Sequence, residues 1–314
     1  MSSKKGVAIL GVFVADLAFR AARQPHIGET IFGSGFKLGP GGKGSNQSVA
    51  AARVGANVTF ISKLGADDFA RIARDTWARE GITAAVAEVP DQPTGAAYIF
   101  VDENTGDNAI IVVAGAADTI GPADVDAVAD TIGSAAVFVT QLEQPAAAAQ
   151  RGLEIARAAG VLTVLNPAPA APVDEAIYAL CDYVTPNEHE ATVMTGVEVS
   201  GVDEARKAGD VFLSRGAGAA IITLGAAGAL LHTPSESTLV PAFKAGLVVE
   251  TTGAGDAFNG GFAAALARGV VPHEAVRFGC AVAGISVTRK GTAPSMPRLA
   301  EVEALLAASD RATL

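Results

Sequence analysis

Short apolar runs alternating with helix-patterned segments constrain this chain more than any other feature. Strand-like runs occur at residues 7–14, 58–62, 135–140, 161–165, 183–185 and 219–224. They are almost continuously hydrophobic, the pattern of strands buried on both faces. Between them, 45–54, 67–80 and 145–159 read as helices closed by Gly55, Gly81 and Gly160, the last opening at Pro145. Proline at a helix start and glycine just past its end are the expected punctuation. This alternation predicts an α/β fold, a doubly wound and mostly parallel sheet flanked by helices. At 314 residues the chain could hold two domains of roughly 150 residues or one large open sheet. A single α/β domain over 1–314 is the expectation.

Two segments break the rhythm. Residues 30–38 set Ile31, Phe32, Phe36 and Leu38 among glycines. Residues 95–113 read as two strands, 96–101 and 109–113, around a polar turn at 103–108. Both look antiparallel. They predict a small β-sheet inserted at about 16–40 and 95–113, placed as a lid.

Composition narrows the function. Lys and Arg number 23 against 33 Asp and Glu, a net charge of −10. That argues against a nucleic-acid or acidic-membrane partner, each of which favours a basic footprint. Hydrophobic residues at 50% exclude wholesale disorder. Cys181 and Cys280 lie in apolar surroundings without CxxC spacing, as buried thiols in a reducing compartment do. Lys4 and Lys5 before the first apolar run resemble a signal peptide, but small neutral residues at a cleavage site are missing around Phe13 and Asp16. No apolar stretch reaches the ~18 residues of a membrane span. A cytoplasmic location is therefore expected.

Several catalytic templates fail. His189-Glu190 and His273-Glu274 each begin HExxH, but Val193 and Arg277 stand where the second histidine belongs. GxSxG does not occur. The stretch Gly39-Pro40-Gly41-Gly42-Lys43-Gly44-Ser45-Asn46 contains a formal GxGxxG. A dinucleotide site would also need an acid ending the next strand, where Ser62-Lys63 stand instead. A Walker A loop would need Ser or Thr after Lys43, where Gly44 stands. Two readings stay open: a glycine-rich turn capping a helix, or backbone that approaches a ligand with Lys43 and Asn46 as polar groups.

The segment Glu250-Thr251-Thr252-Gly253-Ala254-Gly255-Asp256-Ala257-Phe258-Asn259 runs into a helix that ends at Gly269. Small residues at 253–255 leave backbone N–H groups unshielded at a helix start, where the dipole favours an anion. Asp256 follows in the first turn. Phosphoryl transfer needs such donors and a carboxylate that accepts the proton of the attacking hydroxyl. Taken alone, Asp256 could equally be an ordinary helix-start carboxylate.

Together, GGKGSNQ near 41 and TTGAGDAFNGGF near 251 resemble the ribokinase family, carbohydrate kinases of the phosphofructokinase-B type, across essentially the whole chain. Gly28-Glu29-Thr30 is similar to the family's lid entry, and Gln141-Leu142-Glu143 with Leu165-Asn166-Pro167 to its ribose-phosphorylating members. The resemblance implies transfer of a phosphoryl group from ATP to D-ribose, giving ribose 5-phosphate. The alternatives are another pentose, a deoxy sugar or a nucleoside, or a non-catalytic sugar or nucleotide sensor.

The resemblance also assigns roles. Asp256 would be the base, with Gly253, Ala254 and Gly255 as the anion hole. Asp16, Gly42, Lys43, Asn46 and Glu143 would hold the sugar. Asn187 and Glu190 would act near Mg²⁺ and the phosphates, largely through water. Thr223, Gly225, Gly228, Gly255 and Cys280 would contact the nucleotide. A K⁺ ion would be held by carbonyls of Thr252, Ser286, Arg289 and Gly291 and by side chains of Glu250 and Ser295. A homodimer through the lid sheets is implied as well. Three positions depart from the family pattern. Val14 replaces an asparagine beside the sugar, Glu250 is one methylene longer than the usual Asp, and Cys280 replaces a polar residue near the adenine.

Overall fold

The computed structural model describes residues 6–312, so Lys4 and Lys5 lie outside the described residues. The chain builds two sheets. The strands are β1 (Val7–Leu10), β2 (Val14–Ala21), β3 (Gly35–Gly41), β4 (Val58–Leu64), β5 (Thr83–Glu88), β6 (Thr94–Asp102) and β7 (Asn108–Gly115). They continue with β8 (Val137–Thr140), β9 (Leu162–Leu165), β10 (Tyr183–Val184), β11 (Ala219–Thr223), β12 (Ala229–His232) and β13 (Ser237–Val240). The larger sheet has nine strands in the order β13-β12-β11-β10-β9-β8-β1-β4-β5. It is parallel except for the antiparallel edge made by β11, β12 and β13. The doubly wound reading therefore holds.

Side chains alternate between two cores. Val7 and Ile9 of β1 pack into one cluster, and Ala8 and Leu10 into the other. On the first face lie α1 (Lys43–Arg53), α2 (Asp68–Arg79), α8 (Ala254–Ala267), α9 (Pro272–Ser286) and α10 (Leu299–Ala312). On the second lie α3 (Pro122–Asp126), α4 (Ala129–Ser134), α5 (Ala146–Ala158), α6 (Glu188–Thr195) and α7 (Val202–Ser214). Glycines set how closely α8 is sandwiched. A Cβ on Gly260 would come within 2.5 Å of the Gln47 carbonyl in α1, and one on Gly261 within 2.7 Å of Val282 in α9. No helix among the described residues is long and apolar enough to cross a membrane.

The smaller sheet has the order β3-β2-β6-β7. Three sequence expectations change here. The run 7–14 is not one strand: it breaks after Leu10, and Val14 opens β2 of the small sheet. The break lies where a Cβ on Gly11 would sit 2.8 Å from Gly44 Cα and 2.4 Å from Gln141 Oε1. The strand within 30–38 begins only at Gly35, leaving Ile31 and Phe32 outside it. The small sheet is also not wholly antiparallel, since β2 pairs with β6 in parallel. Alternation gives it two faces. Val14, Asp16, Ala18 and Arg20 share one, while Leu17 and Phe19 lie on the other. On that second face Phe19 packs against Phe36 and Tyr98, at centroid separations of 4.9 and 5.8 Å.

Candidate active site

Strand order reverses around β1, whose neighbours β4 and β8 come from opposite halves of the sheet. In open α/β sheets a ligand crevice forms at such a point, beyond the carboxyl ends of the strands. The glycine-rich turn ends β3 there and leads directly into α1. Gly42 is left-handed at φ +86°, and a Cβ on it would meet the Val12 carbonyl at 2.4 Å. A Cβ on Gly41 would sit 2.2 Å from Asp16 Oδ1. Glycine is thus required for the Asp16 carboxylate to lie against this backbone.

The Lys43 amide donates to Glu143 Oε2 at 2.7 Å. Asn46 Nδ2 donates to Asp256 Oδ2 at 3.0 Å. Asn46 Oδ1 is buried without a partner, an acceptor available to a ligand hydroxyl. Asp16, Gly42, Lys43, Asn46, Glu143 and Asp256 therefore lie together.

Burial sets the electrostatics. It raises Glu143 to about 7, against the pull of Lys43. Asp16 rises to about 6 through burial and the neighbouring Asp256 charge. Asp256 is itself pushed up by burial, while Lys43, Asn46 and Gln47 pull it back. Burial works against the charge on Lys43, but Asp256, Glu143 and Glu190 outweigh it and raise its pKa.

Gly253 caps α8 in the left-handed conformation at φ +82°. The Ala254 N–H returns to the Thr251 carbonyl at 3.1 Å. Of the expected anion hole, Ala254 thus spends its donor locally, Ala257 donates to the Gly253 carbonyl, and the Gly255 and Asp256 amides lack acceptors within the helix. A Cβ on Gly255 would meet nothing within 4 Å, so open space lies over this turn.

Asn187 and Glu190 make a capping box for α6. Asn187 Oδ1 accepts from the Glu190 amide at 2.7 Å, and Glu190 Oε2 from the Asn187 amide at 2.8 Å. This explains the NxxE spacing locally and leaves Asn187 Nδ2 and Glu190 Oε1 for other partners. Glu190 is buried close enough to feel Lys43 and Asp256. Thr223 bridges to Asn187. Gly225 faces open space, whereas a Cβ on Gly228 would strike the Val240 carbonyl at 2.0 Å, a packing reason for that glycine. Cys280 is only 5% exposed and sits in the core of its face, its thiol pushed up to about 12 by burial. The structure makes it a packing residue, not an open nucleotide contact.

Glu250 Oε2 accepts from the Gly291 amide at 2.9 Å, joining the segment before α8 to the loop after α9. The Ser286 carbonyl accepts from the Arg289 amide at 3.1 Å, and the Ser295 hydroxyl donates to the Thr292 carbonyl at 2.8 Å. The Thr292 hydroxyl reaches the Pro40 carbonyl at 3.3 Å, tying this loop to the glycine-rich turn. A cleft of about 520 Å³ runs from Asp16 and Lys37 past Glu250 and Thr252 to Gly291 and Thr292.

Sequence reading missed Gln47, Gln141, Asn166, Thr185 and Asn259, all buried around Asp256. A signal was present. Gln141, Asn166 and Thr185 each follow a buried parallel strand, at the carboxyl ends where α/β sites form.

Comparison with known proteins settles the family. Residues 4–299 match the pfkB family carbohydrate kinase pattern. The chain belongs to the pfkB family. It is 39% identical to the ribokinase of Haemophilus influenzae over 94% of this chain and 96% of that one. It is 35% identical to the deoxyribokinase of Salmonella typhi over 97% and 99%. The ribokinase structure from Thermotoga maritima superposes with a TM-score of 0.88 at 35% identity, covering 96% of this chain and 99% of that one. Arabidopsis thaliana ribokinase complexed with ribose and ATP gives 0.90 at 28%, covering 96% and 98%. The kinase is thus an ATP-dependent, ribokinase-type sugar phosphotransferase.

Proposed function

We propose that the kinase phosphorylates the 5-hydroxyl of D-ribose, with Asp256 as general base. The carrying observation is Asp256 itself, buried at the start of α8 and held by Asn46 and Gln47 beside Asp16, Lys43 and Glu143. Asp16 and Glu143 are acceptors suited to vicinal hydroxyls, and the unpartnered Asn46 Oδ1 adds a third. Asp256 takes the proton of the attacking hydroxyl, and the amides opening α8 receive developing phosphoryl charge. ATP supplies the phosphoryl group, and Mg²⁺, when bound, would neutralise its phosphates. Asn187 and Glu190 would hold the ion through water. Gly225 and Gly255, whose faces are open, leave room for the nucleotide. The small sheet carries Asp16 over the site and acts as its lid.

A second reading, a deoxy sugar, rests on Val14. It shares the Asp16 face of β2, is 5% exposed, and packs so that a Cβ on Gly95 would meet its Cγ1 at 2.9 Å. Valine offers a hydroxyl nothing, and a lost partner costs about 0.5–1.5 kcal/mol if water substitutes and about 1–3 if buried. That corresponds to a few-fold to roughly a hundredfold in kcat/KM. ATP consumption should be measured with ribose, 2-deoxyribose and a nucleoside, in the wild type and Val14→Asn. The ribose reading expects ribose to lead and Val14→Asn to improve it. A wild type that prefers deoxyribose, weakened by Val14→Asn, selects the second reading. Unchanged ratios would remove position 14 from the acceptor site.

The cation-loop residues offer only oxygen donors, namely the carbonyls of Thr252, Ser286, Arg289 and Gly291 with Glu250 and Ser295, and that chemistry fits K⁺. The Glu250–Gly291 link shows the two segments in contact. Turnover should rise with K⁺ more than with Na⁺. Equal rates in strictly K⁺-free buffer would refute the site.

A further inference from the structure

Five buried side chains outside the expected site residues form one hydrogen-bonded chain that meets the reacting centre at both ends. Gln47 Nε2 donates to Asp256 Oδ1 at 3.1 Å and to Asn166 Oδ1 at 3.0 Å. Asn166 Nδ2 donates to the Thr185 carbonyl at 2.8 Å. The Thr185 hydroxyl donates to Asn259 Oδ1 at 2.6 Å. Asn259 Nδ2 donates to the Gly255 carbonyl at 2.9 Å, one residue from Asp256. Behind Gln47, its Oε1 accepts from Gln141 Nε2 at 2.6 Å. None of these five side chains belongs to a residue more than 5% exposed.

We propose that Gln47 is the positioning residue of the base, locked by this chain so that the Asp256 carboxylate keeps a fixed place over the first turn of α8. The proposal rests on the reading of Asp256 as base. Both amide hydrogens of Gln47 are committed and its oxygen is taken, so the amide has one orientation. A flip would turn Oε1 onto the Asp256 carboxylate, so Asp256 fixes the orientation. The chain joins α1, the ends of β8, β9 and β10, and α8, the elements whose relative placement sets the site. In a water-poor interior each bond of such a network is costly to break; Gln141 Oε1, at its outer end, is buried without a partner. Reaction geometry is sensitive to displacements of about 1 Å, worth ~100-fold.

Gln47 also tunes the charge on the base. Its N–H favours the ionised carboxylate, as does Asn46, against burial. The other ionisable groups facing Asp256 are Lys43 on α1, Asp16 on β2, Glu143 beyond β8 and Glu190 on α6. Removing the Gln47 donor leaves these in place, so the acidic limb of kcat must move to higher pH.

Gln47→Met keeps the bulk and removes the polar groups. We expect kcat to fall about 10- to 100-fold, sugar KM to stay within about 3-fold, and the acidic limb to rise by about one pH unit. Thr185→Val breaks the chain at its middle without touching Asp256, and should lower kcat several-fold, with Thr185→Ser restoring it. If Gln47→Met does not fold, the Thr185 pair decides alone. A wild-type pH profile in Gln47→Met, or a loss carried entirely by KM, overturns the proposal. So do equal losses in Thr185→Val and Thr185→Ser. Asp256→Asn assayed in parallel separates the failures, because high turnover there removes the base itself.

Discussion

Asp256→Asn should lose about 10²- to 10⁴-fold in kcat while sugar affinity stays within a few-fold. The amide keeps the size of the carboxylate but cannot accept the hydroxyl proton. The proposed sugar contacts through Asp16, Lys43 and Glu143 are untouched. A second effect accompanies the first. Asn46 and Gln47 now donate to separate carboxylate oxygens. One of them would face an NH₂ group, and a buried donor left unpaired costs about 1–3 kcal/mol. Single-turnover rates with calorimetric sugar binding and a thermal melt read all three quantities. Near-normal turnover would remove Asp256 as base, whatever the melt showed.

Lys43→Met should lose about 100- to 4000-fold in kcat/KM. Lys43 is the cation that Asp256, Glu143 and Glu190 share. Removing one partner from a buried charge cluster typically costs about 3–5 kcal/mol, because the others are left uncompensated. At 1.4 kcal/mol per decade, that gives the stated range. The sign of the accompanying pH effect follows from Glu143, which burial raises from 4.5 to about 7 in the folded chain. Between those values the folded state holds more protons than the unfolded one. Its contribution to stability therefore falls as pH rises through that window, and is unfavourable above it. Lys43 limits the rise, so without it the window extends further upward. The variant should lose melting temperature more steeply than the wild type above about pH 6. Wild-type kcat/KM with an unchanged pH–stability profile would place Lys43 outside the site.

The sequence alone determined the fold class and the two motifs that carry the chemistry. Buried parallel strands leave continuous apolar runs, and helices between them leave capped, periodic segments, so both are local signals. At 253–256, small residues and one carboxylate at a helix start are a local signal too, but alone they fit an ordinary helix cap equally, and only the pairing with the glycine-rich stretch near 41 selected the anion-site reading. Asp16 and Glu143 could be assigned only through family resemblance, because no local pattern marks two carboxylates separated by most of a domain. Their convergence on Lys43, and the pKa shifts it produces, exist only once β2 and the end of β8 are brought to α1.

Tertiary structure also showed what local work several motif residues do in the fold, beside any role in the site. The NxxE spacing is satisfied by a helix cap, Gly228 by contact with β13, and Cys280 by core packing. The run at 7–14 looked like one strand because every residue is apolar or glycine. It divides between two sheets because Gly11 and Gly44 must nearly touch, a contact between residues distant in sequence. Gln47, Asn166, Thr185 and Asn259 were missed for the same reason. Gln47, Asn166 and Asn259 stand in quoted motifs, yet no local pattern gives any of the four a partner. Burial removes the water that would otherwise bond to them, so only the packed fold obliges each to find another.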